Sequence, residues 1–69
     1  MRHYLFELLA GDYEGEEFLV GAFRLSEAYE IADDVARNAE SFDEDGEPYY
    51  KYHFTLTEEE AEMSGLDEY

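Results

Sequence analysis

Residues 26–41 read SEAYEIADDVARNAES, and this stretch decides the fold. Ala28, Ile31, Ala32, Val35, Ala36 and Ala39 recur at three- and four-residue spacing, which a helix turns into one continuous face. Glu27, Glu30, Asp33, Asp34, Arg37 and Glu40 fall on the opposite side. Ser26 is a preferred N-cap type, and Glu27 and Glu30 lie in the first turn, where the helix dipole favours negative charge. The spacing predicts a helix from Ser26 to near Glu40 or Ser41. Its apolar face is nearly all small side chains, which suits close packing on a sheet.

That sheet is legible on both sides of the helix. Tyr4, Phe6 and Leu8 alternate with His3 and Glu7, so Arg2 to Leu9 reads as a strand buried on one face. Glu17 to Arg24 reads as a second strand, and the segment Gly11-Asp12-Tyr13-Glu14-Gly15-Glu16 as the turn between them. Glycine at both ends of that turn supplies backbone angles other residues avoid. Gly21, inside the second strand, marks a bulge or a close approach by another group. Beyond the helix, Tyr49 to Leu56 reads as a third strand with Tyr50, Tyr52, Phe54 and Leu56 on one face. Lys51, His53 and Thr55 are expected on the other.

Thr57-Glu58-Glu59-Glu60 is a capping box opening a short second helix. Gly65 suits its C-terminus, Leu66 is expected to fold back on Met63, and Asp67-Glu68-Tyr69 reads as a tail. The order β-β-α-β-α predicts a single α+β domain spanning 1–69. It is a two-layer sandwich: a three-stranded antiparallel sheet with the main helix on one face. The connection through the helix is expected to place the third strand beside the first.

Composition bounds what such a domain does. The 69 residues include 20 acidic and four basic side chains, a formal net charge of −16. Acidic chains of this kind are commonly disordered, but this one is 45% hydrophobic and 17% aromatic, enough to collapse. A chain of this length buries only about 60% of the surface its unfolded form exposes. Cysteine is absent, so aromatic burial must supply the stability. No apolar run approaches the roughly 20 residues of a membrane span, and the N-terminus is too polar for a signal peptide. The expectation is a cytoplasmic, monomeric protein without a membrane partner.

Chemistry is hard to place on these residues. Ser26 and Thr57 are accounted for as helix caps, and no serine sits in a glycine-rich elbow. His3 and His53, on the first and third strands, read as cross-strand neighbours and with Glu7 would make a metal set, but two exposed polar residues on the open sheet face is the better reading. Ser41-Phe42-Asp43-Glu44-Asp45-Gly46 opens like a calcium loop. Pro48 and a strand then follow where a bidentate Glu and a helix are required. No cofactor or metal is expected. Direct nucleic-acid binding is argued against by the shortage of Lys and Arg.

The acid itself remains. Solubility needs a net charge of only about 2–8. Carboxylates three and four apart on a helix have Cβ atoms roughly 5–6 Å apart, a spacing of charge reminiscent of duplex DNA with one negative charge per ~1.7 Å of axis. Glu27, Glu30 and Asp34 form such a row, with Asp33 as a fourth carboxylate of the same helix. Asp12, Glu14, Glu16 and Glu17 form a second cluster, and Asp43, Glu44, Asp45 and Glu47 a third. In size, charge and element order the whole chain resembles the small acidic, phage-encoded anti-CRISPR proteins of the DNA-mimic type. The resemblance implies a non-catalytic inhibitor that occupies the basic DNA-binding groove of a CRISPR effector or another DNA-binding protein and blocks target recognition. The alternative is an acidic interaction module, antitoxin-like or used in phage host takeover, that binds a basic partner without mimicking DNA.

Overall fold

The computed structural model describes all 69 residues. The elements are β1 (Arg2–Leu8), β2 (Glu17–Ala22), α1 (Leu25–Asn38), β3 (Tyr50–Leu56) and α2 (Glu58–Ser64). The strands form one antiparallel sheet in the order β2-β1-β3, so β3 does lie beside β1. The α+β architecture read from the sequence is the one observed.

Alternation in β1 and β2 sends Tyr4, Phe6, Leu8, Phe18, Val20 and Ala22 to one face. Ala28, Ala32 and Ala36 of α1 close over them with no measurable exposure. Methyl-sized side chains let the helix approach the sheet closely. The large volumes come from the sheet side: Phe6 is fully buried, stacked on Phe18 at 5.7 Å and met by Tyr29, Tyr50 and Tyr52 at 5.5–5.8 Å. Each such aromatic pair adds about 0.5–1.5 kcal/mol beyond the area it buries.

The start of α1 differs from expectation. Glu27 Oε1 accepts the backbone N–H of Arg24 at 3.1 Å, which fixes Glu27 at the third helical position and makes Arg24 the N-cap. Ser26 therefore lies inside the first turn, and β2 ends at Ala22 rather than Arg24. The earlier start lets Leu25 pack against the core. The helix also stops sooner, at Asn38. Glu40 N–H reaches Arg37 O at 3.1 Å and Ser41 N–H reaches Ala36 O at 2.9 Å, the paired bonds of a Schellman motif. Glu40 takes φ 56° there, a left-handed conformation that costs a non-glycine residue about 1–2 kcal/mol. A Cβ on Gly11 would lie 2.8 Å from the Glu40 carbonyl oxygen, so glycine is required where the β1–β2 turn crosses the helix end.

β3 carries the main correction. Leu5 pairs with Phe54 but Phe6 pairs with Tyr52, so His53 is an extra residue, a β-bulge. Side chains beyond a bulge change faces. Tyr50 and Tyr52 point to the α1 face as expected. Phe54 and Leu56 turn away from it, and Phe54 is 54% exposed. Thr55 takes their place, its Oγ1 2.8 Å from the Tyr52 hydroxyl.

The face of the sheet away from α1 holds buried Leu5 and Leu19. α2 packs against β1 and β3 without joining the cluster under α1. Its capping box is formed as expected: Thr57 Oγ1 accepts from Glu60 N–H at 3.2 Å and Glu60 Oε1 from Thr57 N–H at 2.9 Å. Gly65 closes the helix at φ 69°. Met63 is 87% exposed, so Leu66 does not cover it. Nor do residues 67–69 form a loose tail. They run alongside β2 in parallel, with Leu19 N–H donating to Asp67 O at 2.9 Å, Tyr69 N–H to Leu19 O at 2.8 Å and Gly21 N–H to Tyr69 O at 2.9 Å.

Candidate functional site

The fold leaves most of its acid without a basic partner. Arg37 Nε meets Asp33 at 3.0 Å, His53 Nε2 meets Glu7 at 2.7 Å, and His3 Nδ1 meets Glu68. Arg37 is the one permanently charged partner among them, and no other carboxylate lies within ion-pair distance of a Lys, Arg or His side chain. The hydrogen bond that Arg37 donates to Asp33, and then the Asp33 charge, hold the Arg37 guanidinium above its ordinary pKa. Glu47 and Asp34 act on Arg37 in the same direction, more weakly.

Three of the carboxylates singled out in the sequence serve the fold itself. Glu27 caps α1. Asp33 binds Arg37 and lies 3.4 Å from the Tyr50 hydroxyl, which also donates to Tyr29 O at 3.2 Å. Burial, and secondarily the Asp33 charge, push the Tyr50 phenol pKa up. Asp43 Oδ1 accepts the N–H groups of Asp45 and Glu47 at 2.9 and 3.0 Å, an Asx turn that organises its own loop. Asp12, Glu14, Glu16, Glu17, Glu30, Asp34, Glu44, Asp45 and Glu47 are exposed and free of side-chain ion pairs.

The structure gathers some of these around one cleft of about 490 Å³. Its base is apolar: Leu8, Phe18, Ile31, Val35 and Ala39. Around it stand Glu16 from the end of the β1–β2 turn, Glu17 from the start of β2, Asp34 from α1 and Asp67 from the C-terminal segment. Tyr13 and Tyr69 flank it, with the Tyr69 ring edge-on to Phe18 at 5.8 Å. The cause is architectural. Residues 67–69 widen the sheet past the edge that a single helix covers. A smaller depression beside it includes Asp12 and Glu40. Glu14, Glu30, Glu44, Asp45 and Glu47 line neither.

Asp67, Tyr69 and Tyr13 were missed by sequence reasoning. Their placement depends on long-range parallel pairing and on a turn conformation, neither of which leaves a periodic signal.

The histidines are not exposed residues and are not opposite one another. His3 pairs across the strands with Gly21 and Leu56, whereas His53 sits in the bulge. Their side chains are 14% and 23% exposed. No three potential ligands converge on a metal position. Gly21 takes the close-approach role: a Cβ there would lie 2.8 Å from Met1 Sδ and 3.4 Å from the Glu68 carboxylate. Ser41 is fully buried as a structural joint, its Oγ donating to Tyr49 O at 2.6 Å and accepting from Ala10 N–H at 3.2 Å. No helix is long and apolar enough to cross a membrane. No protein-family model, curated protein or solved structure matches the chain.

Proposed function

We propose that the chain is a non-catalytic binding protein whose acidic surface occupies the DNA-binding groove of a basic protein. The observation that carries this reading is the lack of internal compensation. All but three carboxylates are without a Lys, Arg or His side-chain partner, at a net charge of −16. Self-repulsion of that size opposes the compact state, and a basic partner relieves it. The resemblance to DNA-mimic anti-CRISPR proteins makes a CRISPR effector the first partner to test. Added to a purified effector, the chain should abolish target-DNA binding, and excess duplex DNA should displace the chain in turn. A complex that forms and resists displacement by DNA would sink the mimicry reading.

Glu30 and Asp34 are exposed, four residues apart and free of structural duties. Reversing both to Lys should leave the fold intact and weaken inhibition, most strongly at low salt. Full inhibition by that variant would move the contact to the loops. The alternative of an acidic module that binds without mimicking DNA is favoured by one feature, the apolar side chains that line the cleft, since the grooves of duplex DNA are floored by polar base edges.

A further inference from the structure

The cleft between α1 and the C-terminal segment has the chemistry of a seat for one kind of side chain. Ile31 and Val35 contribute apolar surface, Glu17, Asp34 and Asp67 stand beside them, and no Lys, Arg or His lines the cleft. Arginine has the complementary build. Its aliphatic stem lies along apolar surface, and its planar guanidinium forks onto carboxylates and stacks on aromatic rings. Tyr69 supplies such a ring, and the volume suits one or two side chains. A purely apolar occupant would strip water from the carboxylates without pairing them. A second copy of this chain would bring its own net charge of −16 against the first.

We infer that this cleft docks an arginine-bearing segment of a partner protein, the stem against Ile31 and Val35 and the guanidinium between Glu17, Asp34 and Asp67. The inference rests on the reading of the chain as a ligand for a basic protein and names the anchor of that contact.

Titration of the isotope-labelled protein with the peptide acetyl-Gly-Leu-Arg-Arg-Leu-Gly-amide, at ~0.15 M salt to screen diffuse attraction, tests it. The inference requires amide shifts concentrated at Phe18, Val35, Asn38 and Tyr69. Combining Glu17→Gln with Asp34→Asn should weaken binding about tenfold or more, the size expected for losing two charge-assisted hydrogen bonds. Glu58→Gln with Glu59→Gln on α2 removes the same charge and should change affinity by less than about twofold, since screened charges at a distance act weakly. Thermal melts establish that both variants are folded. Equal weakening by the two pairs, shifts that follow the acidic loops, or equal binding of spermidine at the same positions would overturn the docking site. Loss of the cleft with DNA competition intact leaves the mimicry reading standing. A peptide seated in the cleft of a chain that DNA does not displace from its partner supports the site and removes mimicry.

Discussion

The two faces of the sheet solve different problems with the same strands. The face under α1 is built from Phe6, Phe18, Val20 and three alanines, and it admits no charged side chain. The opposite face buries only Leu5 and Leu19 and carries both histidines of the chain, each held by a carboxylate. The first face supplies the stability. The second carries two of the three carboxylates that have a basic side-chain partner. Its two pairs join the strands to the bulge and to the C-terminal segment, which in turn widens the sheet and opens the cleft.

The largest effect should come from the first face. Phe6→Ala removes the ring at the centre of the aromatic cluster and should cost about 3–5 kcal/mol, enough to unfold much of a domain this small. Urea denaturation measures it. A cost equal to that of an exposed-face change such as Phe54→Ala would mean that the cluster under α1 is not the core.

A smaller effect should come from the second face. Glu7→Gln keeps a hydrogen-bond acceptor for His53 but removes the charge, in a pair whose side chains are about a quarter exposed. The expected loss is about 0.5–1.5 kcal/mol near neutral pH, because solvent screens the pair. A loss approaching that of Phe6→Ala would make this face a second centre of stability.

The smallest effect sharpens the boundary between the α1 face and solvent. The Tyr50 phenol has a folded pKa raised above its ordinary value near 10, chiefly by burial. A raised pKa gives stability that is fully present below the unfolded value and lost as pH rises through the folded one. The melting temperature should therefore fall above pH ~10, and Tyr50→Phe should flatten that fall. An unchanged alkaline slope in the variant would place the loss elsewhere.

How much was legible follows from the range of each signal. β1, β2 and α1 announce themselves because every second or every third and fourth residue is apolar over a full element. The α2 capping box is equally local. β3 was half legible: Tyr50 and Tyr52 obey the alternation, but the bulge at His53 carries neither glycine nor proline to mark it, so Phe54 and Leu56 were assigned to the wrong face. Ser26 outranks Arg24 as a cap type, yet Leu25 gains burial from the earlier start. For the candidate site, the sequence shows which side chains are acidic but not which are already engaged. Glu27, Asp33 and Asp43 are bound by their own backbone or by Arg37. Asp67 and Tyr69 reach the cleft only through pairing with β2, nearly fifty residues away.

A chain whose acid is unbalanced within the fold and held for a basic partner repels itself when alone. Thermal melts at neutral pH in sodium chloride from about 0.01 to about 1 M test it most directly, since the Debye length falls over that range from about 30 to about 3 Å. Screening relieves repulsion in the compact state more than in the expanded chain, so the melting temperature should rise steadily with salt. A melting temperature that stays flat or falls would show that the charge is already balanced inside the fold, and would contradict the account.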